Sequence, residues 1–461
     1  MIKAPRGTRD LLPPDTALWN FVEATVRDVF RAYNFHEIRT PIFESTELFA
    51  RGVGEETDIV SKEMFTWEDR GRGAISASGY PSRQRSVSGA DSRSGSSSGS
   101  AESDRGQSLT LRPENTAGIV RAYIEHKLWE RGLNKVFSIG PMFRRERPQK
   151  GRYRQFYQID AEVIGPAAAG SQSPARDAEI LELVATLLER VGITNWTLEL
   201  NSVGCPADRV KFNEALRQAL APVVNKMCAD CQRRAVTNPL RVFDCKVPED
   251  QPIIATLPTI SQFLDEPCRT HFEEVKAILN AVQIPYVENP RLVRGLDYYQ
   301  KTAFEFTHGA LGAQNAILGG GRYDGLSEAL GGPAAPGIGF AIGEDRLVLS
   351  LAASAESVVR KPDVYIAPLG PGMNREAARL ARELRRSGPA ADLVVELGDE
   401  TFRLKKSFEA ADRIGARYIL IVGENEVKAN AFALKHLATG EQVTVPRAEL
   451  ARRITETGKG S

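Results

Sequence analysis

The chain has 461 residues, 42% of them apolar and 26% charged, a balance that suits a soluble globular protein of two to four domains. Lys plus Arg total 60 against 59 acids, a formal charge of +1 that excludes a uniformly basic nucleic-acid coat but permits a local basic stripe. No run reaches the length of a membrane span, the N-terminus is broken by prolines and charges, and five cysteines make no disulfide framework, so a multidomain cytoplasmic protein is expected.

In chain order, Leu18, Phe21, Val22, Val26, Val29 and Phe30 recur at a helical period, which predicts a helix over 16–33 after Pro13-Pro14. Residues 35–43 read as a strand, and Pro41 places an edge or a break in it. Residues 71–108 hold 13 Ser and 7 Gly in 38 positions, too little apolar surface to offset ordering entropy. They read as a flexible insert between Met64–Trp67 and Leu109–Leu111, at the tip of a hairpin, and are expected to be dispensable. Strands over 136–140 and 156–163, joined by a loop rich in Arg, Pro and Gly, predict an antiparallel pair. Helical patterns follow at 177–191 and 210–220, and strand patterns at 303–306 and 315–319. Beyond a polar stretch near 353–361, strands at 364–367, 393–397 and 418–422 alternate with helices at 374–387 and 402–414. That alternation predicts a separate C-terminal α/β domain with a mainly parallel or mixed sheet.

The loop from Arg144 to Arg154 has six basic residues and one acid in eleven positions. A solvated loop would explain that, but guanidinium groups clamp phosphates bidentately, so a nucleotide or nucleic acid is the sharper reading. Gln158, Asp160 and Glu162 alternate and therefore share one strand face, which must supply partners or a ligand if it is buried. Arg294-Gly295-Leu296-Asp297-Tyr298-Tyr299 and Gly319-Gly320-Gly321-Arg322-Tyr323-Asp324-Gly325-Leu326 each mix arginine, tyrosine and glycine; the triple glycine fits either a close backbone approach or a tight turn. Neither is a phosphate-binding Gly-Lys-Ser/Thr loop nor a dinucleotide fingerprint. Cys228-x2-Cys231 offers half a zinc site, but Cys245 stands alone in the sequence and no second pair completes it, so no metal is expected.

Together these segments resemble the histidyl-tRNA synthetases, a family of class II aminoacyl-tRNA synthetases, over nearly the whole chain outside 71–108. Pro41 matches the motif 1 proline at the family's dimer interface, and Phe143-Arg144-Arg145-Glu146-Arg147 through Glu162 is similar to motif 2. Gly337 to Leu347 resembles motif 3, and the two Arg–Tyr–Gly segments look like the histidine-specific motifs. The resemblance implies an α+β fold: an antiparallel sheet flanked by helices over 1–355, with a helical insertion at about 205–270. An α/β anticodon-binding domain would occupy 362–461. It also implies a homodimer without membrane contact that joins L-histidine to ATP, with Mg2+, and then to tRNA(His).

The substrate carboxylate is itself the nucleophile, so the site has to supply positioning and charge neutralisation. By resemblance Arg144 and Arg294 act on the α-phosphate as the catalytic arginines, with Arg294 also binding the histidine carboxylate, and Arg346 and Arg152 bind the remaining phosphates. Glu114, Thr116 and Gln158 would hold the α-amino end beside Asn115, where many relatives carry glycine and the backbone is freer. Glu162 would accept the imidazole N–H, and Tyr298 and Tyr299 would close the pocket. Arg147, Gln149 and Lys150, toward the loop tip, would face the tRNA. Asp208 and Gln251 stand where some relatives carry further cysteines, which argues against zinc. A regulatory subunit of ATP phosphoribosyltransferase is the non-catalytic alternative; it shares the catalytic fold but lacks the C-terminal domain and the 294–299 segment.

Overall fold

The computed structural model describes residues 2–54, 57–69, 107–149, 151–296, 298–311, 315–351, 359–386 and 393–456. The chain divides into two units, Met1–Glu356 and Ser357–Ser461. In the first unit the strands are β1 (His36–Glu37), β2 (Phe43–Ser45), β3 (Phe65–Asp69), β4 (Gln107–Leu111), β5 (Lys135–Phe143), β6 (Gln155–Ile164), β7 (Trp196–Ser202), β8 (Val287–Glu288), β9 (Gln300–His308), β10 (Ala316–Arg322) and β11 (Gly337–Gly343). Among the described residues they form an eight-stranded sheet in the order β1-β5-β6-β11-β10-β9-β7-β8 and a three-stranded sheet β2-β4-β3. The large sheet is antiparallel except at its edges, where β1 pairs parallel with β5 and β8 with β7.

Pro41 breaks the chain as its missing N–H requires: β1 joins the large sheet and β2 the small one. β3 and β4 pair antiparallel from Phe65 opposite Leu111 to Asp69 opposite Gln107, as a hairpin around the Ser/Gly-rich insert requires. The insert itself lies outside the described residues, apart from Gln107 and Ser108 in β4.

The two faces of the large sheet differ in side-chain size. One carries Ile159, Ala161, Val163, Phe304, Phe306, Ile338, Phe340 and Ile342, all at most 2% exposed. Helices close the core: Asp15–Ala32 buries Leu18, Trp19, Val22, Val26, Val29 and Phe30 at helical spacing. Helix Pro174–Arg190 starts at Ser173, whose hydroxyl accepts the Ala175 N–H, with proline in the first turn. Asp177 on this helix is fully buried and ion-pairs with Arg322, and it also accepts from Thr302 and contacts His271 at 2.8 Å. Arg322 is also fully buried and reaches Asp324 at 2.9 Å and the Ser171 carbonyl at 3.0 Å, so each buried charge has partners.

The second unit has the strands β12 (Val364–Leu369), β13 (Val395–Leu397), β14 (Tyr418–Gly423), β15 (Ala431–His436) and β16 (Gln442–Pro446), in the order β13-β12-β14-β15-β16. β13, β12 and β14 are parallel, as strand–helix alternation predicts, and β15 and β16 extend the sheet antiparallel. Among the described residues, no helix in the chain is long and apolar enough to cross a membrane.

Candidate active site

The other face of the large sheet carries the polar residues. Gln158, Asp160 and Glu162 on β6 are 8%, 1% and 1% exposed, so the solvent-facing reading of this strand does not hold. Their cross-strand neighbours on β11 are Gly343, Ala341 and Gly339, and Ala341 in turn faces Gly319 of β10. A floor of Gly and Ala leaves volume above the sheet. The triple glycine 319–321 is a strand and not a turn. A Cβ at Gly339 would overlap the Glu162 carboxylate, and one at Gly319 would overlap the Arg294 guanidinium.

Glu162 accepts from the Thr116 hydroxyl at 2.7 Å and from the Tyr323 hydroxyl at 2.5 Å. Burial lifts its pKa to about 8, against the pull of those two donors. Glu114 accepts the backbone N–H groups of Thr116 at 2.9 Å and Ala117 at 3.0 Å, at the start of helix Thr116–Glu125. Burial raises its pKa too, opposed by those donors and by Arg144. Asp160 is raised well above the carboxylate range by burial and by the nearby charges of Glu162 and Glu114, and neither of its oxygens has a protein partner. The Gln158 carbonyl oxygen also has none. Three buried acids thus crowd one face, a setting that favours a ligand with cationic or N–H groups.

The arginines line the same region. Arg144, just after β5, donates from Nε to the Pro113 carbonyl at 2.8 Å and lies over the Phe156 ring. Arg294 pairs with Glu305 at 2.8 Å and lies 6.0 Å from the Tyr299 ring centroid, while its buried Nε has no protein partner. Arg346, on helix Glu344–Ser350, donates to the Ala316 carbonyl at 2.7 Å, and burial together with Arg152 lowers its pKa. Arg152 is bound to Glu146 at 3.2 Å. Tyr298 and Tyr299 pack at 4.7 Å, and Tyr298 meets Tyr323 edge-on at 5.7 Å. Arg147 and Gln149 are exposed on the loop; Lys150 lies outside the described residues. Asn115 sits at φ −118°, a conformation open to any residue, and its side-chain oxygen accepts from Thr40 at 2.6 Å, so the glycine of many relatives is not required here.

Sequence reasoning gave no role to Tyr323, Glu305 or Arg112. Arg112 is 4% exposed and ties the Thr40 hydroxyl at 2.9 Å and the Pro141 carbonyl at 2.9 Å to the Glu114 segment. Each lies inside or beside a motif, but only pairing across strands reveals its partner. Cys245 is not apart from the Cys228-x2-Cys231 pair: its Sγ lies 3.9 Å from that of Cys228.

The family model described as "Histidyl-tRNA synthetase" matches residues 88–347, and that described as "Anticodon binding domain" matches 363–457. A histidine–tRNA ligase of Koribacter versatilis is 66% identical over 99% of this chain and 97% of its own length. One from Solibacter usitatus is 54% identical over 98% and 99%. The apo crystal structure of Staphylococcus aureus histidyl-tRNA synthetase superposes with a TM-score of 0.73 at 36% identity, covering 99% of this chain and 100% of that one. These matches extend through both units, and full-length relatives at this identity are named histidine–tRNA ligase, which favours that reading over the regulatory-subunit alternative. The chain belongs to the histidyl-tRNA synthetase family.

Proposed function

We propose that this enzyme activates L-histidine with ATP, as its magnesium complex, to histidyl-adenylate and pyrophosphate, then transfers histidine to the 3′ end of tRNA(His). The observation that carries this reading is Glu162, buried and gripped by Thr116 and Tyr323 on the strand face shared with Gln158 and Asp160. A fixed carboxylate among hydroxyls satisfies an imidazole N–H and discriminates against side chains that lack one. Glu114, Thr116 and Gln158, beside Asn115, receive the ammonium end, and Tyr298 and Tyr299 cover the ring. The histidine carboxylate attacks the α-phosphorus and pyrophosphate leaves. Arg144 and Arg294 neutralise the charge that grows on the phosphoryl oxygens, while Arg346 and Arg152 hold the outer phosphates. Arg294 is aimed by Glu305 and admitted by the missing Cβ of Gly319.

In this reading Arg147, Gln149 and Lys150 of the exposed loop meet the tRNA acceptor end, the unit from Ser357 onward reads the anticodon, and the enzyme works as a cytoplasmic homodimer whose interface includes the Pro41 segment. The deciding measurement is ATP–pyrophosphate exchange with each of the twenty amino acids. Exchange should appear with histidine alone, and its absence with histidine overturns the proposal.

A further inference from the structure

Cys228, Cys231, Cys245 and Asp250 have no part in the chemistry above, yet one donor atom from each lies within 4.8 Å of every other. We propose that these four side chains bind a zinc ion that staples the helical insertion. The spacings suit that ion. Tetrahedral zinc with Zn–S near 2.3 Å sets sulfurs about 3.8 Å apart and sulfur to carboxylate oxygen about 3.5 Å apart. Here Cys228 Sγ and Cys245 Sγ are 3.9 Å apart, and Cys245 Sγ is 3.2 Å from Asp250 Oδ2.

The surrounding groups fit the same purpose. Cys228 and Cys231 sit at the start of helix Ala229–Thr237, Cys245 follows the 3-10 turn Pro239–Asp244, and Asp250 ends the turn Pro248–Asp250. The Cys231 N–H points at Cys228 Sγ at 3.5 Å and the Val247 N–H at Cys245 Sγ at 3.4 Å, the direction that stabilises thiolate ligands. Asp250 is 1% exposed and accepts the Cys228 N–H at 3.1 and 3.2 Å, but it has no ion-pair partner among the described residues, so a divalent cation would supply the counter-charge that its burial demands. The local core is built from short helices and turns, the kind of module that a metal commonly holds together.

A second group, Cys205, Asp208, Asp265 and Cys268, is equally close, but its two carboxylates hold the starts of two helices. Asp208 accepts the N–H groups of Cys205 and Asp265 at 3.1 and 3.0 Å, and Asp265 that of Cys268 at 2.8 Å, so both carboxylates serve as helix caps. With two thiols rather than three, it makes the poorer thiolate cage. The first group also has a link to the active site: Arg241, four residues before Cys245, donates to the Gly295 carbonyl at 2.6 Å, next to Arg294.

The test is elemental analysis of the untagged full-length enzyme purified without chelator. Wild type should carry one zinc per chain more than Cys245→Ser, and Asp250→Cys should retain it. In case the serine variant misfolds, wild type stripped and refilled with Co2+ gives an independent readout: a thiolate charge-transfer band with tetrahedral ligand-field absorption. Equal zinc in wild type and Cys245→Ser, a Co2+ spectrum without sulfur bands, or a Cys228–Cys245 disulfide with no metal would each overturn the proposal.

Discussion

Glu162 titrates in a place where water cannot help it, and its pKa of about 8 against an ordinary 4.5 has a thermodynamic consequence. Between those values the folded chain holds the proton that the unfolded chain releases, so this group's contribution to stability falls as pH rises and levels off above 8. Glu162→Gln removes the titration. The variant's melting temperature relative to wild type should therefore climb from pH 5 to pH 8 and then stay level, and a difference that is flat across this range would refute the assignment. The same change should weaken histidine by about 0.5–1.5 kcal/mol in KM, the net worth of a neutral hydrogen bond, because below its pKa of about 8 the Glu162 carboxyl carries its proton. Gly319 is a second residue-scale lever. A Cβ there meets the mobile end of Arg294 and not backbone, so Gly319→Ala should fold with little change in melting temperature yet lose pyrophosphate exchange more than tenfold. If exchange is retained, Arg294 does not work from the position it holds above Gly319.

At the scale of an element, the proposed roles divide the β5–β6 hairpin between base and tip. Arg144 is anchored at the strand end by the Pro113 carbonyl and the Phe156 ring, whereas Gln149 is exposed in the loop and joined to Arg152 by backbone bonds. Gln149→Ala should leave exchange nearly intact while slowing histidine transfer by roughly 1–3 kcal/mol, the worth of one base contact. Arg144→Ala should abolish both steps, and equal damage to exchange from both substitutions would show that the tip serves the adenylate as well. This hairpin also shows what a sequence makes legible. Alternation along 155–164 places Gln158, Asp160 and Glu162 on one face, and Pro41 announces its own break, because both are local consequences of backbone geometry. The partners of those residues are not local. Tyr323 reaches Glu162 from 161 positions away and Arg322 reaches Asp177 from 145, and no spacing rule joins residues brought together by strand order. Asp250 escaped notice among the thiols for a related reason, since a carboxylate in a charged, turn-rich stretch has no signature until the fold buries it. β15 and β16 went unread because alternation in so short a hairpin is weak beside the helices that precede it.

For the whole molecule, the proposed separation between chemistry and the second unit rests on where the cores close. Val364, Ile366, Leu380, Leu384, Leu420, Val422, Phe432, Leu434, Leu450 and Ile454 pack into one cluster drawn wholly from the C-terminal unit. Among the described residues, its strands pair with one another in a sheet of their own. A segment that buries its own apolar surface and satisfies its own sheet meets the conditions for independent folding. Residues 357–461 expressed alone should therefore unfold in a single cooperative transition. Every side chain proposed to touch histidine or ATP lies between Glu114 and Arg346, within the first unit. A chain ending at Glu356 should accordingly keep histidine-dependent pyrophosphate exchange within a few-fold of the full-length enzyme. Its transfer of histidine to tRNA should fall by far more, because the lost unit is the one matched by the anticodon-binding model. Steady-state exchange and single-turnover aminoacylation on the same preparation separate the two effects. If exchange collapses while circular dichroism shows the shortened chain folded, the second unit contributes to adenylate formation, and the division between chemistry and recognition fails.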